Sequence, residues 1–247
     1  MVGHGLAVLA LTLLTQLGGV AWLAAVPFRR RWLAFGLAFG LAYAALWGAA
    51  HVLAPFAGRV ALPCWGDGPL RSQSALYCAL NRNYVTPALA SVAGDLATDM
   101  ARHFPGTVTL TLDAGFPFTT LPLLPHLSHD DGEKLDIALY WQHGGQYQPG
   151  RSKSPVGYWG YADGPTDCPN RWADLRWNMA WLNAARPGWQ IDPARTRAAL
   201  VWLAADPRTG KVLVEPHISA SLGTALPKIR FQGCRAARHD DHIHLQL

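Results

Sequence analysis

Five of the six residues from His239 to His244 can hold a metal ion or move a proton: His239, Asp240, Asp241, His242 and His244. The stretch runs straight into His242-Ile243-His244-Leu245-Gln246-Leu247, whose period of two reads as a strand. On such a strand His242, His244 and Gln246 share one face, and Ile243, Leu245 and Leu247 share the other. Two imidazoles on one strand face beside two carboxylates suit a metal site; a His-rich tail with adventitious affinity is the plain alternative. A second cluster, His126-Leu127-Ser128-His129-Asp130-Asp131-Gly132-Glu133-Lys134-Leu135-Asp136, sets His129 seven residues before Asp136, with Gly132 between them. Asp136 opens an alternating run to Trp141, so its carboxylate should emerge from the start of a strand. His129 then sits on the loop leading in, and Gly132 permits the tight turn that brings the two together. With His244 the set offers two nitrogens and one oxygen, leaving a fourth tetrahedral position for water. That is the pattern of a catalytic Zn2+ site; a structural one is normally closed by four protein ligands.

The joint pattern, His-x-x-Gly-x-x-x-Asp from His129 to Asp136 and His-x-x-His-x-His from His239 to His244, resembles the penicillin-insensitive murein endopeptidases. These belong to a wider group of zinc peptidases that includes D-Ala-D-Ala carboxypeptidases and dipeptidases. The resemblance covers residues 106–247 and implies a zinc peptidase domain that cleaves peptidoglycan cross-links or stem peptides. It makes His129, Asp136 and His244 the zinc ligands and sets His239 and His242 beside the bound water and substrate. Asp241, three residues before the last ligand, stands where relatives in the wider group carry an acidic base, so His242 and Asp241 both remain candidates for that role. The chain departs from the carboxypeptidase and dipeptidase branch at Leu127, where that branch has Ser, and at Lys134, where it has a small residue. A non-catalytic zinc-binding module of the same fold, acting as a cell-wall sensor, is the alternative.

Toward the N-terminus, residues 5–28 and 32–58 contain no charged side chain, and each is long enough to cross a hydrocarbon core of about 30 Å as a helix. Arg29-Arg30-Arg31 lies between them, whereas the first five residues carry no positive charge, so an uncleaved hairpin reads better than a signal peptide. Keeping the arginines cytoplasmic puts the rest of the chain outside, in the periplasm of a bacterium under the family resemblance. Cys64, Cys78, Cys168 and Cys234 all follow the second span, an even count suited to disulfides in an oxidising compartment. Of the three possible pairings, a local Cys64–Cys78 bridge with Cys168–Cys234 is the one expected. The net charge of +5 is modest and partly due to the arginine cluster, so nucleic acid is not called for.

The remaining residues must position the two clusters. Residues 59–105 form a helical lead-in, with Leu89, Val92, Leu96 and Met100 at helical spacing over 86–103. A strand follows over 107–112, then a Pro- and Leu-rich loop over 118–128 that leads to His129. Residues 142–170, rich in Gly, Pro, Tyr and Trp, read as a long loop walling the substrate groove, with Tyr158, Trp159 and Tyr161 available to ligand. Helices are expected over 172–185 and after Asp192-Pro193, and a strand over 211–218 with Glu215 and His217 on one face. Strands and helices without regular βαβ alternation predict an α+β domain on an antiparallel sheet, preceded by a two-helix transmembrane hairpin.

Overall fold

The structure, a computed structural model, describes residues 2–118, 120–166, 168–169, 176 and 179–247. Helices α1 (Val2–Thr15), α2 (Gly18–Ala25) and α3 (Trp32–Leu53) come first. After them come β1 (Val60–Ala61), β2 (Leu70–Ser72), α4 (Ala75–Ala79), β3 (Tyr84–Val85), α5 (Pro87–His103), β4 (Thr109–Thr111) and β5 (Lys134–Ala138). The chain continues through β6 (Trp141–His143), β7 (Gln146–Tyr147), β8 (Trp189–Ile191), α6 (Pro193–Ala205), β9 (Lys211–Leu213), α7 (Pro216–Ser221), β10 (Ile229–Arg230) and β11 (His242–Gln246).

The fold is α+β, and its central sheet has the order β10-β9-β11-β5-β4-β2. The inner strands β9, β11, β5 and β4 pair antiparallel, as expected, but β10 runs parallel to β9 and β2 parallel to β4. The sheet is therefore mixed. The cause lies in the connections: α7 intervenes between β9 and β10, and α4 and α5 between β2 and β4, which gives each return the crossover that a parallel pair needs. Leu135, Ile137, Ile243 and Leu245 turn into a core shared with Leu89, Val92, Leu96 and Met100 of α5 and Leu200 and Leu203 of α6. By strand alternation Asp136, His242 and His244 then point to the opposite face.

Local chemistry explains most element ends. Thr86 caps α5, accepting a hydrogen bond from the Leu89 amide, and Pro87 fills the first helical position. Asp192 caps α6 in the same way, accepting from the Arg195 amide at 3.0 Å. The expected loop over 142–170 begins instead as a hairpin, β6–β7, because Gly144 and Gly145 take the two left-handed positions of a two-residue turn. The expected strand over 211–218 stops at Leu213; Pro216 starts α7, so Glu215 and His217 do not share a strand face. Of the helix expected over 172–185, residues 180–185 form a 3-10 helix, and most of the rest lies outside the described residues. The two disulfides are Cys64–Cys78, the local bridge expected, and Cys168–Cys234, the pair that it leaves.

The N-terminal expectation needs correction. Among the described residues one helix, Trp32–Ala57, is long and apolar enough to cross a membrane. The earlier apolar run is broken at Gln16, whose φ of 63° ends α1, and α2 folds back against it. Gly18 and Gly19 allow the close approach: a Cβ on Gly19 would fall 2.0 Å from the Thr12 hydroxyl and 2.8 Å from the Val8 carbonyl oxygen. The absence of charge does not reveal this break, because Gln16 and the glycines are uncharged.

Candidate metal centre

Asp136 and His244 are direct register partners on β5 and β11, and their Oδ1 and Nδ1 atoms lie 2.8 Å apart. Asp136 sits in the middle of β5, two residues further into the strand than its pattern indicated. His129 reaches the pair from the preceding loop, its Nε2 3.3 Å from both Asp136 Oδ1 and His244 Nδ1. The three ligand atoms lie within 4.8 Å of one another and all three residues are buried, so this group could hold a metal ion. Gly132 closes the turn between His129 and Asp136 at φ +74°, and the Arg59 guanidinium lies where a Cβ would project.

The surroundings prepare the donors. The Ala114 carbonyl accepts from His129 Nδ1 at 2.7 Å, which fixes the tautomer and leaves Nε2 free for a cation. The Tyr158 hydroxyl donates to Asp136 Oδ2 at 2.6 Å, which leaves Oδ1 turned toward the histidines. Tyr158 is in turn tied by accepting from the Asp113 amide at 3.1 Å. Burial disfavours the Asp136 charge, but His129 and His242 outweigh it and hold the carboxyl well below the usual range. Burial pushes the His244 imidazole down to about 4 despite Asp136, so it is neutral at pH 7, the form a metal requires. Two imidazoles and one carboxylate are donors that suit a divalent metal ion.

His242 stands beside this group without joining it at the same range, with Nε2 3.6 Å from Asp136 Oδ1. Its Nδ1 lies 2.5 Å from Asp241 Oδ1, and the other Asp241 oxygen accepts from the Trp159 amide at 2.5 Å. Burial lowers the His242 pKa, but Asp136 and Asp241 reverse that and lift it to about 9. His239 packs its ring 5.0 Å from His242 and 5.6 Å from His244, and burial with those two neighbours keeps it neutral. Its backbone is fixed by Glu215, which donates its amide to the His239 carbonyl at 3.0 Å and accepts from the His239 amide at 3.3 Å. Glu215 is itself in a buried ion pair with Arg176 at 2.9 Å.

Three groups were not singled out in the sequence. His126 lies in the second cluster, where the pattern assigns it no role; it meets Asp113 Oδ2 at 2.8 Å and packs 4.6 Å from the Tyr158 ring. Arg82 holds Asp113 through two bonds of 2.7 and 2.8 Å. Neither Arg82 nor Asp113 carries any sequence signal, because their pairing spans 31 residues that include β3, α5 and β4. Tyr158, Trp159 and Tyr161 do line the cleft, together with Arg238, Asp241 and His242. The cleft continues over the metal group as a space of about 380 Å3 walled by Leu127, Lys134, His239, His242 and Gln246. An apolar pocket of about 200 Å3, bounded by Leu76, Leu80, Val156 and Trp159, opens beside it and shares Pro125, His126 and Tyr158. His217 lies apart from the cleft, its ring against Gly164. No protein-family model matches this chain, and neither does any curated protein.

Proposed function

We propose that this chain is a membrane-anchored, extracytoplasmic zinc peptidase that hydrolyses amide bonds in peptidoglycan cross-links or stem peptides, its catalytic domain in the bacterial periplasm. The observation that carries the reading is the convergence of His129 Nε2, Asp136 Oδ1 and His244 Nδ1 on the floor of an open cleft, with the His242–Asp241 pair at its edge. Zn2+ held by these three residues would supply Lewis acidity, making water a nucleophile near neutral pH and polarising the scissile carbonyl. A cation held on Asp136 would offset the carboxylate charge that lifts the His242 pKa to about 9, and the neutral imidazole would then serve as general base, taking a proton from the attacking water and returning it to the leaving amine. Asp241 has both oxygens engaged, one by His242 and one by the Trp159 amide, so it orients the imidazole rather than moving the proton itself. Neutral His239, packed beside His242, would donate to or orient the polarised carbonyl. Leu127 and Lys134 stand on the cleft wall, where they would influence which bond fits. The disulfides and the apolar helix over Trp32–Ala57 support an oxidising, membrane-adjacent setting. Metal content of the purified protein, together with digestion of defined muropeptides, tests the proposal. Stoichiometric zinc with release of cross-linked or stem peptides is the expected result; zinc without hydrolysis would leave a binding module.

A further inference from the structure

The catalytic domain does not hang below α3 on a tether; it clasps the helix at its middle. Tyr43 donates from its hydroxyl to the Ala79 carbonyl at 2.6 Å, and Trp47 from its indole to the Cys78 carbonyl at 2.9 Å. Asn81 reaches both the Tyr43 hydroxyl, at 3.1 Å, and the Thr15 carbonyl at the tip of the α1–α2 hairpin, at 3.2 Å. The same tip bonds the loop after β4, where the Phe118 amide donates to Gln16 Oε1 at 3.1 Å. Helical side chains lean toward their own N-terminus, so Ala79 is level with Tyr43 or deeper, on the side of Arg29–Arg31.

Lengths then decide the depth. From Trp32 to Tyr43 the helix rises about 16 Å at 1.5 Å per residue, roughly half of a 30 Å hydrocarbon core. Charged side chains at mid-bilayer are costly, so Arg29–Arg31 belong at the headgroups. With that end fixed, the α4 carbonyls bonded by Tyr43 and Trp47 lie inside the apolar layer, not above it. The composition of the domain at this level agrees. Residues 74–81, Ser-Ala-Leu-Tyr-Cys-Ala-Leu-Asn, carry no charge, and neither do residues 114–125, Ala-Gly-Phe-Pro-Phe-Thr-Thr-Leu-Pro-Leu-Leu-Pro. Leu76 and Leu124 on these segments are exposed despite being large and apolar. Leu76 and Leu80 also form the rim of the apolar pocket beside the metal group, and Pro125 and His126, at the end of the second segment, line the cleft itself.

We propose that the bilayer covers the uncharged face made by α4 and residues 120–125, so the domain is partly sunk in the outer leaflet and the metal cleft opens at the membrane–water boundary. The proposal rests on α3 being a membrane anchor. Nitroxide labels on single added cysteines in the full chain, reconstituted in phosphatidylcholine–phosphatidylglycerol vesicles, test it, because the native cysteines are paired. Leu37→Cys reports on α3, Leu76→Cys on the proposed face, and Arg102→Cys on the water-facing end of α5. Labels at 37 and 76 should both collide more often with oxygen than with a water-soluble nickel chelate, and the label at 102 should show the reverse order. A label at 76 that behaves like the one at 102, while 37 stays in lipid, overturns the proposal and leaves the anchor standing. A label at 37 that is open to the chelate removes the anchor itself. Shielding at 76 from both reagents means protein covers the face, and also overturns the proposal.

Discussion

His244 and Asp136 face each other directly across the β11–β5 ladder, 108 residues apart in sequence and 2.8 Å apart at Nδ1 and Oδ1. His242 lies two residues away on the same face of β11, yet 3.6 Å from the same carboxylate. The two histidines should therefore fail differently. His244→Ala should lose metal and activity together, since a two-ligand remnant competes poorly for zinc. His242→Ala should keep its metal while losing roughly a hundredfold or more in rate, the usual scale for a general base. Metal analysis and muropeptide digestion on the same preparations check both, and loss of zinc from His242→Ala would make it a ligand.

Tyr158→Phe removes the hydroxyl that donates to Asp136 Oδ2 and keeps the ring that packs on His126 and His242. Partners of this kind orient a ligand, and their loss typically weakens metal binding by about 10- to 100-fold. Competition with a chromophoric chelator should show that drop, and because the buried Asp113 amide also loses its acceptor, unfolding should show a stability loss of about 1–3 kcal/mol.

Gly132→Ala should be among the more damaging single changes in the domain. At φ +74° an L side chain is strained, and the new Cβ would fall on the Arg59 guanidinium, which donates to the Asp131 carbonyl. A loss of about 1–3 kcal/mol is expected from backbone strain at this one position, with reduced metal occupancy because the turn sets His129 against Asp136. Denaturant unfolding of the variant measures it.

Asp113 gives a pH signature. Burial would raise its pKa, but the paired bonds from Arg82, helped by His126, hold it down at about 2. A depressed carboxyl contributes stability that is present above its unfolded value near 3.8 and is lost as pH falls toward 2. In Arg82→Met only burial and His126 remain, so an unpaired buried carboxylate should cost about 3–5 kcal/mol at pH 7. Protonation relieves that cost, so the gap between variant and native protein should narrow from pH 7 to pH 3. A gap independent of pH would mean that Asp113 is not ionised in the folded protein.

Several features were legible in the sequence because they rest on local rules. The period of two from His242 to Leu247 fixes which side chains share a face, whatever the strand pairs with. Gly132 marks a turn that needs positive φ, Asp192-Pro193 carries cap and first-turn chemistry, and the spacing of Leu89, Val92, Leu96 and Met100 marks α5. What only the tertiary structure decided is how distant segments meet. The register that sets His244 opposite Asp136 is held by Leu135, Ile137, Ile243 and Leu245 packing on α5 and α6, on the face away from the site. Tyr158 reaches Asp136, and Arg82 reaches Asp113, only because loops close over one sheet face, which no spacing encodes. The fold-back at Gln16 is hidden from the charge pattern, since two short helices and one long one carry the same uncharged run. Periodicity states which way a side chain points relative to its own strand or helix; packing of the whole chain states what it points at.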